Sequence, residues 1–120
     1  MKMPSFLRSF GHAFRGFAFA FRMERNFRVQ VAVGACVLAA ALLLPFAPWE
    51  RVILFAMIMA VLVLELLNTG MERLIDLLKP RLDDYVKDVK DVMAAAVLLA
   101  SVFAVMIGVV IVWPHFFTSI

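Results

Sequence analysis

Residues 52–76 read VILFAMIMAVLVLELLNTGMERLID, and this stretch decides the fold. Every side chain from Val52 to Leu64 is apolar, and then Glu65 interrupts the run. An acid at the centre of a membrane helix costs roughly 2.5–3.5 kcal/mol, and less towards the interface, so such a residue persists when it has a partner or a task. Asn68, Glu72 and Asp76 follow it. At about 100° per residue, Glu65, Asn68, Glu72 and Asp76 share an arc of roughly 80° on one helix. Glu65 lies about 10 Å of helix rise deeper than Glu72. A polar stripe therefore runs down one face of a membrane helix, from its interior to its end.

Two more apolar runs flank this one. The first extends from Val31 to Phe46 and carries on through Ala47-Pro48-Trp49; Pro45 and Pro48 are expected to end its helix, with Trp49 at the interface. The third spans Val92 to Trp113, broken only by Ser101, and Pro114 is expected to stop it. A bilayer core of about 30 Å takes ~20 helical residues. The expected architecture is an all-α membrane protein, a single domain over residues 1–120, with spans at 29–49, 52–72 and 91–113. Composition agrees: of 120 residues 65% are hydrophobic and 18% charged, far more apolar than the ~45–50% of soluble domains.

Basic residues orient the spans. Lys2, Arg8, Arg15, Arg22, Arg25 and Arg28 precede the first, and Arg73, Lys79, Arg81, Lys87 and Lys90 lie between the second and third. Arg51 alone lies between the first two. The positive-inside rule then puts the N-terminus and the second connection in the cytoplasm and the C-terminus outside. Within residues 3–22, Phe6, Phe10, Phe14, Phe17 and Phe21 recur every three or four positions, and Arg8, Arg15 and Arg22 every seven. That pattern predicts an amphipathic helix on the cytoplasmic surface, rings in the acyl boundary and arginines at lipid phosphates. Its plain role is an anchor; a sharper one is to seat a lipid substrate.

The net charge of +3 is mild and its basic residues border membrane segments, so nucleic acid is not an expected partner. The single cysteine, Cys36, allows no disulfide within the chain and reads as apolar filler. The N-terminus shows no secretory cleavage pattern, so the first span is expected to stay as an anchor. No internal repeat is visible. Residues 79–88 form the one substantial polar connection, interrupted by Pro80. Ala96, Ala100, Ala104 and Gly108 recur every four residues, a stripe suited to close helix packing. His12 and His115 have no evident ligand partner.

Three polar clusters share one level: Glu24-Arg25-Asn26 at the first span's entry, the Glu65–Asp76 stripe, and Lys87-Asp88 with Lys90-Asp91 before the third span. Gathered together, Glu24, Glu65, Glu72, Asp76 and Asp91 would repel strongly in a low-dielectric site unless cations intervened. Magnesium carried by nucleotide phosphate suits carboxylate oxygens of this kind.

The same residues carry a family resemblance. Glu65-Leu66-Leu67-Asn68-Thr69-Gly70-Met71-Glu72-Arg73-Leu74-Ile75-Asp76 resembles the E-x-x-N-[ST]-x-x-E-x-x-x-D signature of the small prokaryotic diacylglycerol kinases. Lys90-Asp91-Val92-Met93-Ala94-Ala95-Ala96-Val97-Leu98 is similar to their K-D-x-x-x-[AG]-A-V-L segment, and Phe21-Arg22-Met23-Glu24-Arg25-Asn26 to their F-x-x-E-x-N entry. The resemblance covers nearly the whole chain. It implies a homotrimeric lipid kinase of the bacterial inner membrane, with MgATP as co-substrate and its active site at the cytoplasmic face. By position, Glu65 resembles the general base, and Glu24 and Glu72 the metal-binding acids. Asn68, Asp76, Lys90 and Asp91 resemble nucleotide-site residues, with Lys90 on phosphate. The family has no P-loop, and no glycine-lysine phosphate cradle occurs here.

The chain departs from the enterobacterial enzymes over Lys79-Pro80-Arg81-Leu82-Asp83-Asp84-Tyr85, which leaves Asp84 a weak nucleotide candidate, and Val29 stands where they carry glutamine. Glu24-Arg25-Asn26 is closer to the undecaprenol kinases of Gram-positive bacteria, so undecaprenol is the expected acceptor ahead of diacylglycerol. Rival readings are a small proton-coupled transporter that uses Glu65, or a non-enzymatic membrane scaffold; neither needs Glu24, Glu72, Asp76 and Lys90 gathered at one level.

Overall fold

The computed structural model describes residues 3–78 and 83–117, and it is helical almost throughout. Four helices follow one another: α1 (Ser5–Met23), α2 (Arg25–Leu43), α3 (Pro48–Leu78) and α4 (Asp83–Phe117). The last three are long and apolar enough to cross a membrane. Their outward faces are apolar: Leu99 and Val110 are 73% and 72% exposed. Lipid, rather than a protein core, would cover such surfaces.

Each break in the helix chain has a local cause. Glu24 adopts an extended conformation (φ −114°, ψ 109°) between α1 and α2. The next helix closes this corner, because Arg28 donates to the carbonyls of Phe21 and Arg22 at 2.8 and 2.9 Å. A guanidinium there satisfies carbonyls left over at the end of α1 and suits the negative end of its dipole. Arg51 does the same for α2, bonding the carbonyls of Ala41 (2.7 Å) and Leu44 (3.1 Å).

The helix ends differ from the expected stops. Helix α2 begins at Arg25 and ends at Leu43, because Leu44 must be extended ahead of Pro45. Pro48 opens α3 rather than ending α2; at a helix's first position its missing N–H costs nothing. Glu50 reaches back to the N–H of Ala47 at 2.8 Å, which completes a cap. Pro114 lies inside α4, which continues to Phe117. The expected polar connection is shorter than 79–88, since α4 starts at Asp83; Lys79, Pro80, Arg81 and Leu82 lie outside the described residues, as does Lys2.

Helix α3 is the central element. Both α2 and α4 pack on it, and α1 touches α2 and α3. Among the described residues α2 and α4 do not pack on each other, so a groove of about 410 Å³ lies between them, floored by α3. Ala41, Phe46, Leu54 and Ile111 close the end of the bundle remote from the polar stripe. Gly34 allows α2 to approach α3: a Cβ there would stand 2.8 Å from Cγ2 of Ile58. The small-residue stripe of α4 behaves differently. Ala104 and Gly108 line the groove instead of a tight helix contact, and a Cβ on Gly108 would meet nothing within 4 Å.

At 1.5 Å per residue α2 spans about 28 Å, α3 about 46 Å and α4 about 52 Å. Counting ~20 residues from Trp49 along α3, or back from Trp113 along α4, brings each helix out of a bilayer core near Gly70 and near Met93. Glu72, Asp76, Lys90 and Asp91 then stand beyond the core, with Glu65 just inside it.

Candidate active site

Glu65 is the most deeply placed acid, only 2% exposed. The hydroxyl of Thr69, one turn on, donates to the Glu65 carbonyl at 3.0 Å, and Thr69 is itself buried. A buried carboxylate needs hydrogen-bond donors. It finds one on α2, where Gln30 Nε2 donates to Glu65 Oε1 at 3.2 Å.

Next up the face, Asn68 Nδ2 donates to Glu72 Oε1 at 3.4 Å, a long contact, and the oxygen of the Asn68 amide is buried without a donor among the described residues. Asp76 pairs with Lys90 of α4, Oδ1 to Nζ 2.8 Å, at a partly exposed position. Glu24 faces the stripe from the α1–α2 corner. Burial is the largest influence holding its carboxyl above the ordinary 4.5, followed by the negative charges of Glu72 and then Glu65. Two helices and the corner thus bring Glu24, Glu65, Asn68, Glu72, Asp76 and Lys90 to one region. Asp91, beside Lys90, is exposed, and so is Asp84; no hydrogen bond ties either into the site among the described residues.

A profile for prokaryotic diacylglycerol kinase matches residues 11–112 of the chain. The chain belongs to the prokaryotic diacylglycerol kinase family. Among curated relatives, it is 38% identical to a diacylglycerol kinase of Synechocystis across 92% of this chain and 64% of that one. It is 37% identical to an undecaprenol kinase of Bacillus subtilis, across 94% of this chain and 92% of that one. With a diacylglycerol kinase of Escherichia coli the identity is 27%, across 92% and 90% of the two chains. The chain thus spans a little under two thirds of the cyanobacterial relative and nearly all of the other two.

For a lipid kinase of this family the clustered acids raise the question of a cation. No three His, Cys, Asp or Glu side chains converge closely enough to cage a metal among the described residues. Magnesium does not require such a cage: it is commonly held by one or two carboxylates, with phosphate oxygens and water completing the shell. The unfavourable charge environment of Glu24, set partly by Glu72 and Glu65, is what a cation would relieve. The residues therefore fit a magnesium ion that arrives with nucleotide.

Two pairings, one in the site and one remote from it, escape a reading by periodicity. Gln30 is the only amide in the expected first span, 29–49, and that isolation was its one signal. Its neighbours in sequence say nothing about Glu65, 35 residues away. The second pairing lies at the first turn of α3. His115 has a partner after all: its Nε2 stands 3.0 Å from both carboxylate oxygens of Glu50, and its ring packs on Phe46 at 4.2 Å between centroids.

Next to the site, α1 and α3 enclose a hollow of about 460 Å³ lined by Gly16, Ala20, Thr69 and Gly70 among others. The guanidinium of Arg73 lies 4.8 Å above the ring of Phe19 and ties the two helices together.

Proposed function

We propose that the chain transfers the γ-phosphate of ATP to the hydroxyl of a membrane lipid alcohol, with undecaprenol as the acceptor ahead of diacylglycerol. The reaction takes place at the cytoplasmic face of a bacterial inner membrane, in a homotrimer whose α1 helices lie on the membrane surface. The observation that carries the reaction is the graded line of acids on α3. Glu65 is 2% exposed beside the apolar stretch of α3, Glu72 is half-buried and Asp76 exposed, a gradient that suits a lipid hydroxyl at one end and nucleotide at the other.

Glu65 takes the proton of the lipid hydroxyl as its oxygen attacks the γ-phosphorus. The new O–P bond forms as the bond to the bridging oxygen breaks, and ADP leaves with that electron pair. Phosphoryl transfer depends on positioning and charge neutralisation more than on covalent chemistry. Lys90, steered by Asp76, contacts the phosphates, and Asn68 and Asp91 complete the nucleotide side. Glu24 and Glu72 would hold magnesium, which when bound neutralises phosphate oxygens.

The choice of lipid rests on two points. The groove that starts at Gln30 is lined by hydrocarbon apart from Gln30 and Ser101. A polyprenyl chain is content there, whereas the ester carbonyls of a diacylglycerol would lack donors. The Glu24-Arg25-Asn26 entry points the same way. Purified chain in mixed micelles, given γ-labelled ATP and equal mole fractions of both alcohols, should label undecaprenol faster. Faster labelling of diacylglycerol reverses the assignment, and no label in either lipid removes the kinase.

A further inference from the structure

The carboxylate of Glu65 is buried on α3, and its one side-chain hydrogen bond among the described residues comes from α2. We infer that Gln30 is a positioning residue that aims the Glu65 carboxylate at the lipid hydroxyl; this rests on Glu65 serving as the base. The argument starts with the amide. A carboxylate that acts as a base has no proton to donate, so it must face the NH2 end of Gln30, and the amide's orientation follows. Gln30 Nε2 meets Oε1 at 3.2 Å, while Gln30 Oε1 is buried with no donor among the described residues.

A neutral donor suits this task. It fixes the carboxylate's rotamer without forming an ion pair that would tie up its negative charge. The charged groups facing the site come from every other side. Glu24 stands at the α1–α2 corner and Glu72 on α3 itself, with Lys90 of α4 paired to Asp76. No hydrogen bond joins any of these to Glu65, so among the described residues the amide alone sets its direction.

The backbone beside Gln30 is closely packed on α3. Gly34 lies one turn further along the same face of α2, where its missing side chain lets the helix rest against Ile58. Gln30 also lines the upper end of the groove between α2 and α4. The residue that holds the base is therefore also a wall of the apolar groove.

The near-isosteric Gln30→Met removes the donor and keeps the shape. We expect kcat to fall by about 10–100-fold, the scale of a misaimed catalytic group, with KM for MgATP within about twofold and the thermal midpoint in detergent unchanged. Gln30→Asn, which keeps the amide but withdraws it by one methylene, should fall between Gln30→Met and the unaltered enzyme. The decisive measurement repeats Gln30→Met in a Glu65→Asp background, where the shorter acid has already left the amide. There the second substitution should cost less than about threefold, since residues acting as a unit are non-additive. An unchanged kcat in Gln30→Met, or an equal factor in both backgrounds, overturns the positioning role and leaves Glu65 as the base. Full activity in Glu65→Gln overturns the base and the positioning role together.

Discussion

Two glutamates of α3, one in its first turn and one past its middle, each reach another helix, and their surroundings are finished differently. At one end Glu50 accepts the N–H of Ala47 and meets His115 with both oxygens, while Arg51 satisfies the carbonyls that end α2. No buried side-chain nitrogen or oxygen there lacks a partner among the described residues. Further along α3, and among the described residues, Glu65 has a single side-chain partner, the oxygens of Gln30 and Asn68 are buried without donors, and like charges bear on Glu24. A buried polar group left unpaired costs about 1–3 kcal/mol. The contrast separates a clasp, complete within the chain, from a site that is completed by what it binds.

The contrast is broken most severely by Glu65→Gln. Transfer to lipid should fall by about 10²–10⁴-fold, the usual worth of a general base, while MgATP still binds, as a fluorescent nucleotide titration would report. Glu24→Gln comes next. Transfer should drop by about 10–100-fold, with a higher magnesium concentration needed for half-maximal rate. The same variant should be more stable than the parent at pH 8. The folded chain raises this carboxyl above the ordinary 4.5, chiefly by burial, so it binds the proton more tightly than the unfolded chain does. Its charge opposes folding once pH rises past the folded value, and the gain from Gln vanishes below about pH 4.5. Thermal melts at both pH values check the sign.

The clasp should respond in the opposite sense. Glu50→Gln weakens the bond to His115 and the cap on Ala47, lowering the thermal midpoint by several degrees while kcat of the folded enzyme is unchanged. The smallest effect is expected from Asp76→Asn. The Lys90 pair is partly exposed, with side chains 35% and 55% accessible, and such pairs are weak. KM for MgATP should rise about two- to fivefold, with kcat nearly constant.

The three long helices and the shared face of Glu65, Asn68, Glu72 and Asp76 were legible because both follow from periodicity and length. Helix ends were less so. Pro45 and Pro48 both read as stops, yet Pro48 is a start, since one residue type serves either end of a helix according to whether its N–H would be bonded. Pro114 read as a stop and lies within α4. Pairings between distant residues left no trace in the pattern: Gln30 with Glu65 and Glu50 with His115 depend on how helices pack, which a one-dimensional reading does not encode. Glu24 stood out in its motif, but its nearness to the charge of Glu72 depends on the Arg28 corner.

The unequal helix lengths also bear on how the molecule sits in its host. The 19 residues of α2 bridge about 28 Å, whereas the 31 of α3 and the 35 of α4 overshoot. The shortest span is the one a thick bilayer must adapt to, because surplus length can tilt or protrude, whereas a short helix is matched by thinning the bilayer or by snorkelling of its flanks. Membrane thickness thereby sets how high the Glu24 corner rides relative to the headgroups. Reconstitution in lipids of graded acyl length would tune the enzyme with no change to its sequence.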